Sequence, residues 1–295
     1  MLLRIEHSTS YQYSKPVEFT PHTLRLMPKG SPGLHLVKSS VTVSPQSTIR
    51  WRLNAEENII GTATITGTSD HLLIESIMVL EQRFTNPFDF VLEERSLHLP
   101  VTYSAREIAL LAPYLGVAET RLFTLKEWLD PFTRSSQETS LGEPTTLGLL
   151  LEINRSIPTR FRYSQRHEYG VQSPTETLRS GEGTCRDFAS LLMEAARSLG
   201  IAARYVSGYL CASAGSAAVE SHTHGWCELY LPGSGWLGFD PTNGILTGAH
   251  HVPVATAIMA GEIPPVEGAY LGAAGECLRH DVRITATELH PWETP

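Results

Sequence analysis

Apolar and polar residues alternate with period two through the first third of the chain. Leu3, Ile5, His7, Thr9, Tyr11 and Tyr13 fall on one face of an extended segment. Val37, Ser39, Val41 and Val43 repeat the spacing, as do Ile74, Ser76, Met78 and Leu80. Such alternation predicts half-buried strands. Turn residues separate them, at Lys29–Gly33 and Thr68–Asp70. Short strands divided by Gly, Pro and Ser predict an antiparallel β-sandwich-like domain over residues 1–105. From Tyr103 the pattern changes. Ala105–Leu111 and Leu122–Leu129 read as helical, with Asp130-Pro131 expected to break the second piece. Ser135–Gly142 reads as a polar linker, which closes a helical connector over 106–142. Helical patterns then alternate with short apolar strands over 143–260, so the chain as a whole is expected to be α+β. In the C-terminal extension, 261–295, Asp281–Leu289 alternates again and is expected to rejoin a sheet.

The strongest helical pattern lies in GEGTCRDFASLLMEAARSLGIAARYVSGYL, Gly181–Leu210. Phe188, Leu191, Leu192, Ala195 and Leu199 follow the helical spacing, and Gly200 stands where a C′ glycine belongs. Thr184 suits the N-cap, and Thr184-x-x-Asp187 is a variant capping box. Cys185 is thereby placed at the first helical position. Unpaired N–H groups and about half a positive charge at that end favour thiolate over thiol. Gly181 and Gly183 are expected to let the backbone approach a ligand. The competing reading of Cys185 is a small buried core residue. Cys211, Cys227 and Cys277 read as core packing or free thiols.

A nucleophilic cysteine needs a base, and the base needs an orienting group. HTHGWCELYLPGSGWLGFDPTNG, His222–Gly244, reads as a β-hairpin around Pro232–Gly235. His224, Trp226 and Glu228 share one face of its first strand, while Cys227 and Leu229 share the other. The second strand ends at Asp240-Pro241. The hairpin brings His224 and Asp240 onto neighbouring strands, a few residues out of step, so a bulge or a diagonal contact is required. Taken singly, His224 could be a satisfied core histidine and Asp240 a turn residue. Together with Cys185 they make the residue set of an acyl-transfer triad. A zinc site built from His222, His224, Cys227 and His250-His251 is the rival reading. Its ligand count is poor, and Cys227 faces away from His224.

Composition narrows the classes. The chain has 295 residues, 41% hydrophobic and 18% charged, so a substantial core is available. The formal net charge of −8 argues against phosphate backbones or anionic lipid as partners. Four cysteines with no CxxC pair make no disulfide scaffold. The first residues lack a signal-peptide apolar region, and no window approaches about 18 unbroken apolar residues. A cytoplasmic location with reduced thiols is the expectation.

Residues 160–245 resemble the transglutaminase-like superfamily, in its bacterial branch with an N-terminal β-rich region. The matching pieces are YGVQSPTETLRSGEGTCRDFASLLMEAARSLGIAARYVSGYL and HTHGWCELYLPGSGWLGFDPTNG, with IPPVEGAYLG after them. The resemblance implies a papain-like core, a cysteine helix packed on an antiparallel sheet. It also implies Cys185 as nucleophile, His224 as base and Asp240 as orienter. Gly225 and Cys227 depart from the family's frequent Ala and Val, and the smaller residue beside the histidine is expected to matter little.

The expected chemistry is thioester formation on a peptide or protein substrate, with water or an amine resolving the acyl-enzyme. Hydrolysis of a peptide or amide bond is favoured over amine transfer. No D-x-D-x-D-G calcium loop is present and no cofactor is implied. The Cys185 N–H is one oxyanion donor. Gln172 and Tyr169 are candidates for the second, and Trp226 for a substrate contact. The reading from another class is a non-catalytic peptide-binding scaffold, separated from an enzyme by the reactivity of Cys185.

Overall fold

A computed structural model describes residues 1–31, 33–116, 122–135, 145–165, 170–213, 223–273 and 275–289. Six strands open the chain: β1 (Leu2–Phe19), β2 (His22–Leu24), β3 (Leu34–Ser44), β4 (Ser47–Leu53), β5 (Ile59–Ile65) and β6 (Thr68–Gln82). Helices α1 (Glu94–Leu97), α2 (Ala105–Leu115), α3 (Leu122–Ser135) and α4 (Thr146–Arg160) follow, then β7 (Arg162–Tyr163), α5 (Pro174–Ser180), β8 (Glu182–Gly183) and α6 (Cys185–Ser198). The rest is strand: β9 (Ala203–Leu210), β10 (Thr223–Leu231), β11 (Gly235–Asp240), β12 (Ile245–Leu246), β13 (His251–Ala257), β14 (Val266–Glu267), β15 (Tyr270–Leu271) and β16 (Cys277–Leu289).

The architecture is mixed α+β. Two antiparallel N-terminal sheets enclose a core of Tyr13, Val17, Phe19, Leu24, Ile65, Leu72 and their neighbours. In one, β1 lies between β6 and the pair β15 and β16, with β3 beyond β6; the other runs β14-β2-β5-β4. On β1 the alternation is expressed directly, since Leu3, Ile5, His7 and Thr9 are all buried. Edge strand β3 is less regular. Its register shifts between Leu36 and Lys38, and Val37 is left 49% exposed. The turn expected at Thr68–Asp70 falls two residues earlier. Those residues pair within β6, and the chain reverses around Gly67 at φ +81°, which glycine adopts freely.

The second sheet system runs β12-β11-β10-β9-β13, all antiparallel. Helix α6 packs on it, and Phe188, Leu191, Leu192 and Ala195 are buried against Tyr205, Cys227, Leu229 and Phe239. Contrary to expectation, α3 continues through Pro131 to Ser135. One lost N–H costs less than giving up the apolar face of Leu125, Leu129 and Phe132, which are 2%, 4% and 3% exposed. The proposed linker after Ser135 lies outside the described residues. A third cluster, including Leu3, Ile5, Met78, Tyr209, Val252 and Ile284, seals the N-terminal sheet onto β9 and β13.

Candidate active site

Thr184 is the N-cap of α6, and Cys185 opens the helix. The fully buried Asp187 ties this end down. Its Oδ2 accepts from the Thr184 N–H at 2.8 Å and the Thr184 hydroxyl at 2.9 Å. Its Oδ1 accepts from the Gln172 N–H at 2.7 Å, fixing the segment before α5 to the cysteine helix. The two glycines ahead of Cys185 serve the backbone path rather than a ligand. Gly181 ends α5 at φ +69°, and a Cβ on Gly183 would crowd Asp187 and Phe188 at 3.0 and 3.1 Å.

His224 lies near the start of β10, opposite Gly208 of β9. Across the hairpin, Cys227 pairs with Phe239. Asp240, one residue further on β11, is therefore staggered by two from His224, a diagonal contact without a bulge. His224 Nε2 and Asp240 Oδ2 are 2.8 Å apart. Nδ1 is then the nitrogen left for Cys185, which lines the same cleft of about 350 Å³. Burial alone would lower the imidazole pKa, but the bond to Asp240 and the hydrogen-bonding and electrostatic pull of Cys185 raise it to about 10.

Asp240 is fully buried and receives five donors. Oδ2 takes His224, His251 Nε2 at 3.1 Å and Asn243 Nδ2 at 2.7 Å, while Oδ1 takes the N–H groups of Thr242 and Asn243 at 3.0 and 3.3 Å. Burial pushes its pKa up, yet the bonds from His224, His251 and Asn243 prevail and hold it well below the usual carboxylate range. The Gly248 N–H donates to His251 Nδ1 at 3.2 Å, so His251 carries its proton on Nε2 and donates it to Asp240. Neither His251 nor Asn243 was expected in this role. Asn243 had a local signal, since an Asx-type turn after Asp240 brings it back onto the carboxylate. His251 had none, because its strand reaches the site only through β9.

The other expected site residues fall elsewhere. Gln172 donates its N–H to Asp187, accepts from the Thr177 hydroxyl on its side-chain oxygen, and lines a neighbouring hollow instead of the cysteine cleft. The capping carboxylate holds its backbone there, away from the cysteine cleft. Trp226 is 1% exposed, packed edge-on against His251 with ring centroids 5.4 Å apart, and forms the floor under the histidines where no substrate can touch it. Tyr169 lies outside the described residues. Gly225 matters more than expected, because a methyl group there would overlap the Tyr205 hydroxyl.

The zinc grouping does not assemble. Cys227 is buried on the α6 side and directs its Sγ at the Phe239 carbonyl, 3.7 Å away; His250 faces Glu288 at 3.5 Å, and His222 lies outside the described residues. Ligand atoms of His224, Asp240 and His251 do lie within 4.8 Å of one another. Both rings aim Nε2 at the same carboxylate oxygen, which is donor–acceptor geometry.

Residues 134–241 match the core of the transglutaminase-like superfamily, and residues 3–81 match the bacterial transglutaminase-like N-terminal region. Both matched segments are thus transglutaminase-like. Members of this superfamily are generally cysteine-dependent enzymes. A candidate cysteine protease from Cytophaga hutchinsonii shares the fold over 97% of both chains, with a TM-score of 0.66 at 18% identity. Among sequence relatives, an uncharacterised protein of Mycobacterium leprae is 22% identical over 96% of this chain and 98% of its own. One from Mycobacterium tuberculosis is 26% identical over 90% of this chain and 86% of its own. For this transglutaminase-like chain, the N-terminal match falls on β1–β6, and the core match runs from the end of α3 to the aspartate that holds His224.

Proposed function

We propose that this protein is a cysteine-dependent acyl-transfer enzyme that hydrolyses a peptide or amide bond through a thioester on Cys185. The observation that carries the reading is the His224 ring, bonded at Nε2 to a buried carboxylate and presenting its other nitrogen to the cleft that holds Cys185. An imidazole protonated up to about pH 10 beside a helix-start sulfur favours a thiolate–imidazolium pair. The thiolate attacks the carbonyl carbon, and the C–N electrons leave with nitrogen, which takes the Nδ1 proton of His224. Water then gives a proton to Nδ1 as it attacks the thioester, and the acid departs as Cys185 is regenerated. Asp240 keeps the ring oriented throughout. The Cys185 N–H is available to the oxyanion.

Water is favoured over a lysine side chain as the second substrate. Among the described residues lining the cleft, the positively charged side chains are Arg186 and His224, and none is a carboxylate. An alkylammonium ion approaching the thioester is repelled. The test is a glutamine-containing peptide, with ammonia release and incorporation of a fluorescent primary amine measured side by side. Release without incorporation, abolished in Cys185→Ala, is the expected result. Incorporation at a comparable rate would make it a transglutaminase, and full activity of Cys185→Ala would refute the mechanism.

A further inference from the structure

Two donors in the cleft are left over by the triad. Arg186 occupies the second position of α6 and lines the cleft beside Cys185. A cation there opposes the positive end of the helix. Arg186 nevertheless forms no ion pair or hydrogen bond among the described residues. The adjacent Asp187 is committed to Thr184 and Gln172. Tyr205, 3% exposed, lines the same cleft from β9, with its hydroxyl set against Gly225 and with no hydrogen-bond partner among the described residues. Its ring is buried, while its hydroxyl is open to solvent in the cleft. Burial, and then the charge of Cys185, push its pKa above the ordinary value, so the hydroxyl stays a donor. A guanidinium and a phenol with no acceptor among the described residues, on two elements that meet at one cysteine, form a donor pair open to an anion entering the cleft. The planar guanidinium fork matches a carboxylate.

We propose that Arg186 and Tyr205 form a carboxylate-reading subsite beside Cys185, so that the preferred acyl donor carries a carboxylate next to its scissile carbonyl. The carboxylate is supplied either by an acidic side chain or by the C-terminus of a peptide. This rests on Cys185 being the nucleophile, and the experiment separates the two claims.

Iodoacetate and iodoacetamide both alkylate a thiolate with loss of iodide, and they differ only in carboxylate against carboxamide. Their rates on Cys185 are compared with those on mercaptoethanol. The wild type should favour iodoacetate relative to mercaptoethanol, and Arg186→Gln should lower that preference on the order of tenfold, the loss of one charge-assisted contact. Tyr205→Phe should lower it less, and Arg186→Lys should restore part of it. A preference unaltered in both Arg186→Gln and Tyr205→Phe would overturn the subsite. A wild-type Cys185 that neither reagent labels would overturn the nucleophile itself, and the subsite with it. Glutamine peptides with a neighbouring Glu or its Gln isostere, and with a free or amidated C-terminus, identify the source by the larger kcat/KM. Equal turnover of all four peptides by the wild type would also overturn the proposal.

Discussion

His7 in the N-terminal sheet and His224 in the core sheet are both buried imidazoles on antiparallel strands, and their protonation shifts in opposite directions. His7 bonds the Tyr209 hydroxyl through Nδ1 at 2.8 Å and the Thr9 hydroxyl through Nε2 at 2.9 Å. Both partners are neutral, and burial takes its pKa down to about 4. Burial acts on His224 in the same sense, but a carboxylate on one side and a thiol on the other carry it up to about 10. Desolvation sets the cost of charging the ring, and the charge of the neighbour decides whether that cost is met. One histidine joins two sheets as a neutral peg. The other keeps a proton beside the cleft that holds Cys185.

Removing the carboxylate should make His224 behave like His7, and this is the largest effect expected. Asp240→Ala should lower kcat by about 10³–10⁴-fold, as loss of a triad orienter does elsewhere. Asp240→Asn should lose less, because an amide still orients the ring. Equal rates for the two variants would show that orientation is not what Asp240 supplies.

A smaller effect is expected at Gly225, which leaves both histidines in place. Gly225→Ala must displace the Tyr205 hydroxyl. Overpacking of this kind costs about 1–3 kcal/mol. Urea unfolding of the variant, with its turnover measured alongside, checks this. An unchanged midpoint would mean that the tyrosine has room to move.

The smallest effect is a slope. His7, with its pKa lowered, stabilises the fold above its unfolded value near 6.5, and that contribution is lost as pH falls through about 4. His224, with its pKa raised, stabilises fully below 6.5, and that contribution is lost as pH rises through about 10. Thermal midpoints across this range should show His7→Gln flattening the acid limb and Asp240→Asn flattening the alkaline one. If either variant flattens both limbs, the two histidines are not the separate titrations described.

The elements of the site differ in how readably the chain encodes them. The α6 helix is written in local terms, through the spacing of Phe188, Leu191, Leu192 and Ala195 and the Thr184–Asp187 cap, so its start could be placed to the residue. That His224 and Asp240 lie on neighbouring strands was legible from the hairpin, but their stagger of two is set by the register Cys227↔Phe239, which the turn residues alone do not fix. What encloses them is set by distant packing. His251 reaches Asp240 because β13 pairs with β9, and no local pattern encodes that neighbour. Pro131 was misjudged because a breaker is a local signal, and burial of Phe132 and Leu129 overrode it. Gln172 was misplaced because the buried Asp187 claims its backbone.

The pairing of β16 with β1 sets the order in which the protein can be completed. The first strand hydrogen-bonds the last from Leu2↔Leu289 to Tyr13↔Cys277, and β15 extends the same edge at Phe19↔Tyr270. During synthesis this edge waits for the whole intervening core, because its partner strands emerge only after Cys185, His224 and Asp240 have been made. Completion of this sheet therefore follows synthesis of the core between its strands. Until the final strands arrive, one side of β1 is a free template for strand pairing, the state in which sheet proteins associate with one another. The sheet built on β1 is thus completed only once β15 and β16 have been made.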